Sequence, residues 1–325
     1  MRRFLLLLML WAFSLSLAPA ATAQETPKPS VDPPVAKTET KKWEFGVIIT
    51  AVGGPVGGLS GTFPVPRDWP EQQVKVVSED FSPTVRGHAF RELDGLKQML
   101  FEIPHLAAND KATCLVTMEV TRTAQPLPAD PTQFTIPKMP PKDSKKSLGP
   151  SPFIETTNAK FKTLAKELTA GKETPWAQVE ALYDGVRERV KVQPDSNTPP
   201  KGALGAIRDG SADRYDMTAA FVALCRAHKV PARMVRVFDG CGAEFYLEDA
   251  AGKGQWFPCE VNGERQFGSV NHFRPIIQKG DNYKVPERKE PLRFVPETVT
   301  GKAELLKGGA GRPQVEFRRR LVTTP

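Results

Sequence analysis

The chain has 325 residues, 40% of them apolar and 25% charged, which allows one large domain or two ordinary ones around a sizeable buried core. Its formal charge of +8 reads as a solvated basic surface, and without interleaved aromatic and basic residues it argues against nucleic acid as a partner. Four scattered histidines (His88, His105, His228, His272) and four cysteines without C-x-x-C spacing (Cys114, Cys225, Cys241, Cys259) do not make a metal site, and nothing points to a cofactor.

Residues 1–23 read as a signal peptide. Arg2 and Arg3 precede the apolar run Phe4 to Leu17, and Ala21-Thr22-Ala23 supplies small residues for cleavage between Ala23 and Gln24. Cleavage would lower the formal charge by two, to +6, and deliver the chain to the periplasm or outside the cell. No later apolar run is long enough to span a bilayer. Residues 24–42, rich in Pro, Thr and Lys, are expected to be a disordered linker.

Residues 43–122 are expected to form a small β-sandwich-like domain. Ala112, Cys114, Val116, Met118 and Val120 alternate with polar neighbours at the period of a half-buried strand, which makes Cys114 a core thiol. Trp43 to Ile48 and Val74 to Val77 read as further strands, with Gly54, Gly57, Gly58 and Gly61 punctuating the turns. A proline-rich connector follows over 123–152.

The segment 153–288 opens with helices. Thr174-Pro175 is a cap followed by proline at the first helical position, and Trp176, Val179, Leu182, Val186 and Val190 follow at helical spacing. A second helix is expected over Asp216 to His228, stopped by Pro231. Three strands come next, at 232–238, 242–248 and 255–260, the last two joined by a turn over Asp249 to Lys253. Helices followed by an antiparallel sheet define an α+β class. The remainder, 289–325, is a C-terminal extension in which Val315 to Val322 is either a strand or, as the safer choice, a solvated basic tail.

The run Asp213-Arg214-Tyr215-Asp216, with Leu224-Cys225-Arg226-Ala227 and Val230-Pro231-Ala232-Arg233 after it, resembles the transglutaminase-like superfamily, which reads G-D-C-x-D, L-x-R-A and G-I-P-A-R. Glu244 to Asp249 and Trp256-Phe257-Pro258 are similar to its two following strands, and Phe267-Gly268, Arg274-Pro275 and Gly280-Asp281 to its downstream segment. Lys229 stands where the family usually has glycine, at a position suited to positive φ. The resemblance implies a papain-like Cys-His-Asp fold that makes an acyl-enzyme through a thiolate at a helix N-terminus, where the helix dipole lowers its pKa.

The registers place other residues at all three positions. The family cysteine lies 17 residues before the motif proline, which here is Arg214 before Pro231; Asp213 and Asp216 hold their places on either side. The histidine lies four residues before the strand glutamate, which here is Gly240 before Glu244. The aspartate lies four residues after the tryptophan, which here is Glu260 after Trp256. A permanently protonated guanidinium cannot be this nucleophile, and glycine cannot move a proton. The resemblance therefore implies the fold without the chemistry: an exported peptide- or envelope-binding scaffold. The alternative is a cysteine acyltransferase or peptidase with a non-standard nucleophile, Cys225 or Cys241.

With the turn centred on Ala250, Cys241 would face Cys259 and Gly240 would face Glu260, so a structural Cys241–Cys259 disulfide is expected. Arg214 at a helix start opposes the dipole. Either it pairs with a carboxylate (Glu260 first, then Asp213, Asp216 or Asp239) or it snorkels to solvent.

Overall fold

The structure is a computed structural model that describes residues 36–194, 199–301 and 311–323. The expected signal peptide, and the linker as far as residue 35, lie outside the described residues.

Six strands open the chain: β1 (Thr38–Val52), β2 (Val56–Val65), β3 (Gln72–Phe81), β4 (Gly87–Leu93), β5 (Leu96–Leu106) and β6 (Lys111–Thr123). Four helices of eight residues or more follow: α1 (Ala159–Thr169), α2 (Pro175–Arg189), α3 (Gly202–Asp209) and α4 (Arg214–Ala227). The chain then returns to strands: β7 (Ala232–Val237), β8 (Gly240–Glu248), β9 (Gly254–Glu260), β10 (Ile276–Lys279), β11 (Thr298–Thr300) and β12 (Arg312–Leu321).

The period-two pattern of β6 translates directly into burial: Ala112, Cys114, Val116, Met118 and Val120 are all at most 1% exposed. Phe45, Val47, Ile49 and Ala51 of β1 bury their side chains in the same core, which is closed from the other sheet by Phe63, Met99, Phe101 and Ile103. That packing is a sandwich of a four-stranded sheet, ordered β12-β1-β6-β3, against part of a longer one. The longer sheet runs from Gln266–Phe267 through β9-β8-β7-β10-β5-β2-β11. Strands of the N-terminal block therefore continue the sheet of the later segment, joined at β10 and β5.

Two expectations are corrected here. β1 begins at Thr38, inside the stretch read as linker. The C-terminal stretch is not a solvated tail: β12 pairs with β1 from Trp43↔Leu321 to Val52↔Arg312. Val315 and Phe317 pack on the sandwich core and Arg320 bonds Glu44, so the basic residues lie on a strand whose alternate side chains are needed inside.

Helix α4 is buried on every side from Asp216 to Arg226, which is why its sequence is apolar around its whole circumference. It packs on α1, α2, α3, β7 and β8. The aromatic rings of Trp176, Phe245, Phe257 and Phe267 interlock beside it, with centroids 5.0–5.6 Å apart. The helix ends as the motif requires. Lys229 takes a left-handed conformation (φ 68°), and Val230 N donates to Cys225 O at 2.9 Å, closing the last turn.

Candidate functional site

The first turn of α4 holds the position matched to a nucleophile. Asp213 caps the helix, its carboxylate accepting the Asp216 N–H at 2.8 Å. Asp216 is buried, paired with Arg293 at 2.5 Å and accepting the Lys201 N–H at 2.6 Å, so it ties α4 to the α3 start. Arg214 Nη1 donates to the backbone carbonyl of Asp239 at 2.9 Å. Asp239 sits in the tight β7–β8 turn with φ 50°, a left-handed conformation that aims this carbonyl at the helix start.

The expected Arg214–Glu260 pair is not formed. Arg274 takes the carboxylate instead, its Nη2 lying 2.8 and 2.9 Å from the two Glu260 oxygens, and His272 Nε2 lies 3.3 Å from Oε2. Burial pushes the Glu260 carboxyl up, but the hydrogen bonds from His272 and Arg274 outweigh it and hold it below the ordinary range. Arg274 Nη1 also reaches Asp239 O, at 3.3 Å. A Cβ on Gly240 would lie only 2.4 Å from that nitrogen. The Arg274 guanidinium thus occupies the space that a side chain at position 240 would need, and a histidine there is incompatible with Arg274 where it stands. Trp256 has Arg233 over its ring at 4.0 Å and Tyr246 beside it.

The expected disulfide is absent: Cys241 and Cys259 are both free thiols. The reason is register. The turn is stapled by the Asp249 carboxylate, which accepts from Ala251 N and Lys253 N at 2.9 Å, so it centres one residue later than expected. Cys259 therefore pairs with Ala243, and Cys241 pairs across the other edge with Arg236. The same shift takes Gly240 out of register with Glu260; across its other edge Gly240 pairs with Val237.

All four cysteines are buried. Burial pushes the Cys114 and Cys241 thiols up to about 12 and raises Cys225 and Cys259 well above their ordinary value. The bonds shown for Cys241 and Cys259 run to backbone carbonyls, at 3.6 Å, and no described cysteine bonds a histidine. In the folded protein we expect no modification by a thiol reagent on the minute timescale, and four additions after unreduced denaturation, read by intact mass. Only two additions would mean that a disulfide exists after all.

The sequence names Arg274 and His272 but does not place them at this site, because they come from an irregular segment whose path no local pattern dictates. The missing side chain at 240 was the available signal, since something had to fill its place.

These elements, a buried capped helix followed by an antiparallel sheet, are those of a transglutaminase-like domain. The family model described as Transglutaminase-like superfamily matches residues 162–261. Among solved structures, a chain from Cytophaga hutchinsonii described as a "Putative Cysteine Protease" is similar over 90% of this chain and 94% of its own, at 16% identity and a TM-score of 0.57. That likeness is one of fold. The periplasmic domain of TgpA from Pseudomonas aeruginosa matches over 67% of this chain and 87% of its own, at 12% identity and a TM-score of 0.34. No curated protein sequence matches.

Proposed function

We propose that this is an exported, catalytically inactive transglutaminase-like protein that uses the former catalytic cleft to bind peptide or cell-envelope material. One observation carries the proposal. At the start of α4, where a thiolate would have to form, a guanidinium is bonded to the Asp239 carbonyl. A second guanidinium fills the histidine's place and neutralises the third position, Glu260. The nucleophile and histidine positions are thus taken by groups that can neither attack a carbonyl nor shuttle a proton near neutral pH, and the carboxylate that remains, Glu260, is engaged by Arg274 and His272, with no described cysteine bonded to that histidine. Cys241 adjoins Gly240 in sequence, but a buried thiol with its pKa near 12 is a poor substitute. Export rests on the order of basic, apolar and small residues before Gln24. Among the described residues no helix is long and apolar enough to cross a membrane.

The purified protein is expected to show no turnover above background with glutamine-donor or peptide substrates, with or without iodoacetamide. Robust turnover that iodoacetamide abolishes would sink the proposal. Restoring chemistry would take Arg214→Cys and Gly240→His together, with the end of the Arg274 side chain displaced or removed by Arg274→Ala, because a Cβ at 240 would meet it.

A further inference from the structure

A cavity of about 310 Å³ opens beside this site, lined by Tyr215, Arg236, Phe238, Asp239, Gly240 and Arg319. Building on the proposal that the old cleft binds a ligand, we infer that this cavity receives the terminal carboxylate of a short peptide.

Charge carries the inference. Arg236, half-buried on β7, forms one hydrogen bond, from Nη1 to the Val295 carbonyl at 3.4 Å, and no carboxylate among the described residues pairs with it. Arg319 reaches the cavity from β12 and pairs through Nε with Glu297 at 3.1 Å, so its two Nη groups keep their donors for a ligand. At the wall formed by Asp239 and Gly240, the Arg274 and Arg214 guanidiniums converge on one carbonyl. The opposing charges are the exposed Asp239 carboxylate in the wall and Glu297, which holds one nitrogen of Arg319; Arg236 is the cation that no carboxylate among the described residues pairs with. A half-buried arginine without a counter-charge favours binding an anion, and a planar guanidinium matches the two oxygens of a carboxylate.

Size and shape narrow the choice. The volume sits at the lower end of the range of small-ligand sites, ~300–1,000 Å³. It suits the last two or three residues of a chain rather than a long extended strand. Phe238 and Tyr215 give apolar wall for a side chain; the Tyr215 ring is held edge-on by Phe294 at 5.9 Å. Because β12 closes the site, it exists only in the full fold.

The test titrates the full chain calorimetrically with Ala-Ala-Ala as the free acid, with its C-terminal amide and with inorganic phosphate. The free acid is expected to bind and amidation to weaken it about tenfold or more, as loss of a charged hydrogen-bond pair does. Arg236→Gln and Arg319→Gln should each weaken the acid and leave any binding of the amide unchanged, with circular dichroism reporting an intact fold. Equal binding of acid and amide, blind to both variants but lost in Tyr215→Ala, would overturn the carboxylate inference and leave the cleft as a peptide site. Binding of phosphate alone, sensitive to Arg236→Gln, would replace the peptide with a free oxyanion. No binding by any probe would remove both proposals.

Discussion

Asp281→Ala is expected to lower the unfolding free energy by about 3–5 kcal/mol, the range for leaving a buried charge without its partner. Asp281 accepts from Arg226 Nη2 at 2.9 and 2.7 Å, from Ser151 Oγ at 2.6 Å and from Met234 N at 3.1 Å. Both members of the ion pair are almost fully buried, with side chains 2% and 3% exposed. Arg226 also donates to Ala232 O and Gly149 O, so this one guanidinium joins the end of α4, the start of β7 and the segment before α1. Removing the carboxylate leaves an almost fully buried cation without its partner. Replacing the pair by apolar residues removes the stranded charge, so Arg226→Met with Asp281→Leu should recover most of the loss. Urea denaturation at neutral pH checks both variants. A single variant within about 1 kcal/mol of the parent would show that water reaches Arg226.

Lys279→Met is expected to cost a similar amount, about 3–5 kcal/mol, with a pH dependence of its own. The Lys279 ammonium lies between the Glu71 carboxylate, which it contacts closely, and Glu244 Oε1 at 2.5 Å; all three residues are at most 6% exposed. Arg233 holds the other Glu244 oxygen at 2.8 Å, and Arg122 lies 3.8 Å from Glu71. Burial by itself would push the Glu244 carboxyl up, but Lys279 and Arg233 override it and hold it well below the ordinary carboxylate range. A carboxylate whose pKa is depressed by folding stabilises fully above the unfolded value, about 4.3 for Glu, and loses that contribution as the pH falls through its folded value. Without Lys279 two buried carboxylates face each other, and one of them gains by holding a proton. The deficit of the variant should therefore be largest near neutral pH and shrink toward about pH 4. Urea midpoints across that interval decide it; a deficit that stayed constant would mean the carboxylates were never destabilised by losing the lysine.

These two clusters explain what the motif residues are for. Arg226 of the L-x-R-A stretch and Arg233 of the P-A-R stretch do not face the Arg214 position. Arg226 is the buried hydrogen-bonding centre that fixes the end of α4 to β7, and Arg233, half-buried on β7, bonds Glu244 on the neighbouring strand. Both arginines serve the architecture of the fold, and both lie within residues 162–261, the segment that matches the family model.

Much of the scaffold was legible before folding. The period-two run in β6, the Thr174-Pro175 start of α2, and the three strands after Pro231 are local patterns, each decided by residues within a turn or two. The Lys229 conformation was implied by the resemblance, which usually has glycine there, and the structure has it at φ 68°. α4 starts two residues before the expected Asp216, because the cap falls on Asp213.

What sequence alone determined, then, was the helices and strands with a strong local pattern, such as β6, α2, α4 and β7 to β9, and which side chain stands at each motif position, because periodicity, capping and spacing act between near neighbours. Only the tertiary structure decided who meets whom. A turn centred one residue later, set by the Asp249 hydrogen bonds, separated Cys241 from Cys259. Arg274, from an irregular segment, reached Glu260 first and filled the space above Gly240. Pairings of this kind depend on register and on chain paths between elements, where a shift of one residue changes every partner.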